Sequence, residues 1–377
     1  MEIYIVQPGD TVDSISASQG VPVDSILYNN QIPYPYRLAV GQALLLSTGN
    51  PATALPQLVS GGYAYPFIRP YVLEQTLPYL TDLYIFSYGF TADGNLIPPI
   101  LDDSFMITAA KNFRVAPILT LTPFGPDGQF NNYLITQIVN NMDAQNRLIT
   151  QLVNTLQYKG FEGVDIDFEF ILAQDKEAFA AFVGNVRSAV NAIGYPVSVA
   201  LAPKIADDQP GLLYEGKDFS LLGEAADYAL LMTYEWGYTY GPPMAVAPLN
   251  KVREVVTYAA TRIPPEKLSL GIPNYGYDWT LPYVRGESRA RTIGNVEAIQ
   301  IAIENNAVIQ FDEVAQSPFF TYTREGRQHE VWFEDVRSLS AKFALAREFN
   351  LRGVGYWQIM QLFRANWLLL ADTFHII

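Results

Sequence analysis

The chain has 377 residues, of which 49% are hydrophobic and only 16% charged, enough apolar length for a large domain beside a small one and too apolar for a disordered protein. Its net charge of −14 leaves no basic face for nucleic acid or an anionic membrane. With no cysteine and two histidines, His329 and His375, it has no disulfides or thiolate chemistry and a poor basis for a metal centre or a Ser-His-Asp triad.

The opening residues Met1-Glu2-Ile3-Tyr4-Ile5-Val6 have neither the basic nor the long apolar region of a secretion signal. No stretch approaches the roughly 18 apolar residues of a membrane span. The expectation is a soluble protein made without an export signal. Residues 1–48 predict a compact βααβ unit: a strand over Ile3–Val6, a turn at Pro8-Gly9-Asp10, helices over Val12–Gln19 and Val23–Asn29, and a strand over Gln42–Leu46. Thr11 suits the first N-cap and Pro22 the start of the second helix. Residues 49–57, with Gly49, Asn50, Pro51 and Pro56, form a linker.

This unit resembles the LysM module in Tyr4-Ile5-Val6-Gln7-Pro8-Gly9-Asp10-Thr11-Val12, Ile15, Ile26-Leu27-Tyr28-Asn29-Asn30 and Leu38, Val40-Gly41-Gln42, Leu44. The resemblance implies binding of N-acetylglucosamine-containing glycans, peptidoglycan or chitin. Carried over by position, Gly9, Asp10, Thr11, Asn30, Gln31, Ile32 and Pro33 would line the groove. The same residues also fit a plain turn followed by a capped helix.

Residues 58–377 alternate near-continuous apolar runs with amphipathic stretches. Strands are expected at Gly61–Tyr65, Leu83–Phe90, Val115–Leu121, Gly163–Phe170, Val197–Ala202, Tyr228–Tyr234, Leu268–Tyr275 and Gly353–Gln358. Helices fall between several of them, as at Asp143–Tyr158 and Lys176–Ala192. Eight strands point to an α/β fold, a (β/α)₈ TIM barrel. The gap after the seventh strand is too long for one crossover, and 278–337 predicts a small α+β insertion with a hairpin turning at Glu325-Gly326.

Chemistry is left chiefly to carboxylates. If Val164–Glu169 is a strand, Asp165, Asp167 and Glu169 face one side, successive pairs roughly 6.5–7 Å apart, and Val164, Ile166 and Phe168 face the other. No Lys or Arg is near them in sequence, so burial and repulsion should raise at least one pKa. The pattern alone equally fits a cation site or a solvated strand face.

The run Glu162-Gly163-Val164-Asp165-Ile166-Asp167-Phe168-Glu169 resembles the family 18 glycoside hydrolase signature, usually Asp-Gly-x-Asp-x-Asp-x-Glu. Met232-Thr233-Tyr234, Gly271-Ile272-Pro273-Asn274-Tyr275-Gly276 and Gly355-Tyr356-Trp357 extend the match, as does the inserted lobe. Two positions depart from it: Glu162 replaces the first Asp, and Glu235 stands where chitinases usually carry Asp. The resemblance implies Glu169 as proton donor, Asp167 orienting the substrate's acetamido group and sharing a proton with Asp165, Tyr234 bonding the acetamido oxygen, and Trp357 flooring the pocket. Met232, Glu235, Trp236, Asn274 and Tyr275 are the further candidate substrate contacts. No cofactor or metal is implied.

Met232-Thr233-Tyr234-Glu235-Trp236-Gly237, His329-Glu330-Val331-Trp332-Phe333-Glu334-Asp335 and Leu351-Arg352-Gly353, with the LysM unit, resemble spore cortex-lytic glucosaminidases. That implies β-1,4 cleavage at N-acetylglucosamine in cortex peptidoglycan, with retention, by a protein assembled onto the spore from the mother cell. The alternatives are a chitinase and a catalytically silent glycan-binding protein.

Overall fold

The computed structural model describes residues 1–49, 54–126 and 128–377. Asn50 and Pro51 of the expected linker lie outside the described residues. The N-terminal unit pairs Glu2–Ile5 antiparallel with Ala43–Leu46 and packs helices Val12–Gln19 and Val23–Asn29 beside them. Val6, Val12, Ile15, Ile26, Leu44 and Leu46 form its core. Thr11 caps the first helix in a reciprocal box with Ser14, and Gly20 ends it at φ 66°. Such left-handed termination suits glycine, which lacks a Cβ.

Eight parallel strands then close into a barrel: Gln57–Ala64, Asp82–Phe90, Ala116–Leu121, Val164–Ile166, Val197–Leu201, Tyr228–Leu231, Leu268–Pro273 and Gly353–Trp357. The eighth pairs with the first and the first with the second, so no edge is left. Val164, Ile166 and Phe168 are fully buried in the shell between strands and helices. The fourth and sixth strands are shorter than expected, their ladders ending at Ile166 and Leu231. Asp167, Glu169, Met232 and Tyr234 therefore stand beyond regular pairing, at the C-terminal mouth where barrel enzymes carry their chemistry. The alternation of faces persists past Ile166, because Phe168 still packs between Phe90 and Phe182.

The insertion is a five-stranded antiparallel sheet, with strands Gly276–Thr280, Arg291–Ile293, Gln310–Asp312, Ser317–Arg324 and Arg327–Trp332, plus helix Asn295–Glu304. Its long hairpin turns at Glu325 (φ 52°) and Gly326 (φ 74°), the paired left-handed conformations of a two-residue turn.

The N-terminal unit is seated on both the barrel and the lobe. Gln31 accepts from Arg364 N at 2.6 Å and donates to Leu362 O at 3.2 Å, and the Arg364 guanidinium lies 4.0 Å over the Tyr28 ring. Ile309 N donates to Val40 O at 2.9 Å, and Arg37 reaches Ile303 O at 3.2 Å.

Candidate active site

The acids descend from mouth to core. Glu169 is part-exposed, Asp167 is 6% exposed and Asp165 is fully buried. Asp165 accepts from Ser198 Oγ at 2.6 Å and Tyr63 OH at 2.9 Å, on the fifth and first strands. Burial pushes its carboxyl up to about 6, against the opposing pull of those bonds and of Lys217. Asp167 Oδ1 is buried without a hydrogen-bond partner. Burial drives the Asp167 carboxyl well above the usual range, and the negative charges of Glu169 and Asp165 push it further. Burial also raises Glu169, with Lys217 opposing. All three carboxyls are thus shifted toward keeping a proton, the direction an acid catalyst needs.

No Lys or Arg is near these acids in sequence, but the fold brings one to them. Lys217, distant in sequence, is fully buried and acts electrostatically on all three carboxylates. Nothing local marked it, since only the closed barrel brings it there. Tyr63 and Ser198, the two donors to Asp165, were likewise not singled out in the sequence.

Tyr234 is 9% exposed in the same chamber, and burial, then the charges of Asp167 and Glu169, keeps its phenol protonated. Trp357 meets Phe86, Tyr63 and Tyr65 edge-on, with ring centroids 5.0, 5.7 and 6.0 Å away. Glu235 follows Tyr234 at φ 67°, and its carboxylate is clasped by Tyr275 OH and by Tyr277 OH, the latter at 2.9 Å. Burial raises this carboxyl too, and the Glu169 charge adds to the rise. Tyr275 therefore acts on Glu235, and Tyr277, absent from the expected set, joins it.

Asn274 donates to the carbonyls of Gln358 and Gln361 at 3.0 and 2.9 Å, and so holds the loop that follows Trp357. Met232 and Trp236 are partly buried at the chamber's edge against the main core. Glu162 lies at the opposite end of its strand, part-exposed and 3.8 Å from Lys111. From Tyr65 and Phe86 a cleft of about 430 Å³ runs outward past Phe67, Ile100, Leu101 and Phe124. Phe67 and Ile100 are 63% and 97% exposed, an apolar surface open to a ligand.

On the N-terminal unit, Asp10 accepts from Tyr4 OH and Gln7 N, Thr11 caps its helix, and Asn30 exchanges bonds with Leu45. Ile32 is buried in the core, Gln31 faces the barrel, and Gly9 and Pro33 are exposed. Among the described residues no hydrogen bond joins the Gly9–Thr11 and Asn30–Pro33 stretches. Nor do these residues include a group of three His, Cys, Asp or Glu placed to hold a metal ion.

The model of glycosyl hydrolases family 18 matches residues 124–361, and that of the LysM domain matches 4–47. The chain is 36% identical to the cortical fragment-lytic enzyme of Bacillus subtilis (strain 168), across 100% of this chain and 99% of that protein. The spore cortex-lytic enzyme SleL of Bacillus megaterium QM B1551 superposes with a TM-score of 0.93 at 34% identity, over 100% of this chain and 98% of that one. A chitinase of Chromobacterium violaceum, 23% identical with a TM-score of 0.76 over 85% of this chain and 99% of that one, shares the barrel fold. This chain belongs to glycosyl hydrolase family 18 and carries an N-terminal LysM domain. It is a glycoside hydrolase.

Proposed function

We propose that the protein cleaves β-1,4 bonds at N-acetylglucosamine in spore cortex peptidoglycan or its fragments, with Glu169 protonating the glycosidic oxygen. The observation that carries the mechanism is Asp167 Oδ1, a buried acceptor with no partner beneath the donor. A buried polar atom left unpaired is costly, so it suits a donor that arrives with the substrate, the acetamido N–H. Burial and the neighbouring negative charges disfavour the ionised form of Asp167 that a nucleophile needs, and Asp165 is wholly enclosed. The substrate's own acetamido oxygen is then the attacking group, which gives retention of configuration. Asp167 orients the acetamido group, Asp165 shares the cluster's charge, and Tyr234 bonds the acetamido oxygen. Trp357 floors the pocket, Tyr275 and Glu235 shape its rim with Met232 and Trp236, and Asn274 holds the loop beneath.

Names of the relatives support cortex as the polymer and the spore as the place of action. The LysM domain would hold the glycan through Gly9, Asp10, Thr11 and the Asn30–Pro33 loop. Glu169→Gln should abolish release of reducing sugar from purified cortex fragments while binding persists. Turnover of that variant at the wild-type rate would sink the mechanism. Degradation of crystalline chitin in preference to cortex fragments would sink the substrate assignment.

A further inference from the structure

Lys217 is unused by the mechanism above, yet it is the one fully buried cation beside the acids among the described residues. It is brought there by the loop between the fifth strand and helix Phe219–Ala225. Gly216 lies so close to the segment after Glu169 that an added Cβ would meet the Ile171 carbonyl oxygen at 2.2 Å. Lys204 Nζ donates to the Lys217 carbonyl at 3.0 Å and pins the loop from the other side. The Lys217 ammonium donates to Ala200 O at 3.1 Å.

That carbonyl fixes where the charge sits. Asp165 is in register with Ser198 and Ile166 with Val199, so the chain direction brings Asp167 alongside Ala200. The ammonium is thus one layer nearer the mouth than Asp165, at the level of Asp167. Among the described residues it makes no direct ion pair, and its hydrogen bond is to a backbone carbonyl. An ammonium buried this way is strongly disfavoured unless surrounding negative potential offsets the loss of water. Three carboxyls can supply that potential as they ionise: burial pulls the amine's proton affinity down, and Asp167, Glu169 and Asp165, in that order, push it back up.

We propose that Lys217 is a positioning residue for the glycosidase reaction: it is the internal counter-ion that lets the barrel keep one carboxylate ionised beneath a protonated Glu169. With one ammonium among three carboxyls, the first ionisation leaves the cluster neutral and the second leaves it negative in a low-dielectric chamber. The second is therefore resisted, and the donor keeps its proton. The carboxyls acting on the ammonium are Asp167, Glu169 and Asp165, on and just beyond the fourth strand; the same acids act on Tyr63 and Tyr65 at the end of the first strand and on Tyr234 past the sixth, and Glu169 acts on Glu235. Lys204, Tyr214 and Asp218 belong to its own loop.

The inference rests on Glu169 as donor, and the two fail differently. Glu169→Gln is read as turnover at one pH, whereas Lys217 is read as displacement of a pH profile. Lys217→Met removes charge and hydrogen bond together, and Lys217→Gln keeps an amide to donate to Ala200. Loss of a positive charge raises the pKa of every nearby carboxyl. Both limbs of the kcat/KM profile on cortex fragments should move up by about one pH unit in both variants. Relative activity would then fall on the acid side and rise on the alkaline side. Limbs that stay in place with a uniformly lower rate would assign Lys217 a purely structural role. A glutamine variant with the wild-type profile would assign the effect to the hydrogen bond, and either result overturns the proposal. Should neither variant fold, isotope-labelled lysine in the wild-type chain and in Glu169→Gln answers the same question. One lysine resonance should titrate at lower pH once the carboxylate at 169 is neutralised, and no such movement would refute the coupling.

Discussion

Replacing Asp165 by Asn should make the protein's stability less dependent on pH, by an amount the structure sets. The native carboxyl is raised to about 6 from an ordinary 3.8, with burial as the largest cause. The native state therefore binds this proton more tightly than the unfolded chain. The resulting stabilisation is fully present below about pH 4 and is lost as pH rises through 6. A shift of roughly two units corresponds to about 3 kcal/mol. For a chain of 377 residues at about 2.1 cal/mol/K each, that is about 4 °C in melting temperature. The difference in Tm between Asp165→Asn and wild type should thus move by about 4 °C in favour of the variant between pH 4 and pH 7. Fixed costs of the amide against Ser198 and Tyr63 cancel in that difference. Parallel melts at each pH check it, and a Tm difference that stays constant would refute burial as the origin of the shift.

Gly41→Ala should loosen the seat of the LysM domain, because Gly41 has φ 81° and its Cβ would fall 1.9 Å from Ile309 O on the lobe. Left-handed strain plus that clash should cost at least about 2 kcal/mol, with faster exchange of the Ile309 amide, which donates to Val40 O, as the local readout. Lys342→Met should be harsher. It strands Glu334, 1% exposed and paired to the ammonium at 2.8 Å, for a loss of about 3–5 kcal/mol in chemical denaturation. Adding Glu334→Leu should recover most of that loss, since no buried charge then remains.

The family 18 barrel and the LysM unit were legible in the sequence because both announce themselves locally. Period-two alternation in Val164–Glu169 sorts acids from apolar residues whether or not the ladder extends that far, and Thr11 with Ser14 caps a helix within four residues of chain. Strand ends were less legible. Apolar character continues to Tyr234, but pairing stops at Leu231, where the chain leaves the cylinder to form the mouth.

What sequence could not supply was anything that depends on closure. Asn274, a candidate substrate contact in the sequence, also ties down Gln358 and Gln361, because the seventh and eighth strands lie side by side only in the barrel. Gln31 looked like a wall of a sugar groove and also grips Arg364, because two units with separate patterns had to be docked. The sequence by itself determined which carboxylates stand together, since two-residue spacing on an extended chain fixes their common face. Only the tertiary structure decided their charge state. A carboxyl's proton affinity depends on burial and on the field of groups such as Lys217, Ser198 and Tyr63, which are far away along the chain and neighbours only across the closed barrel.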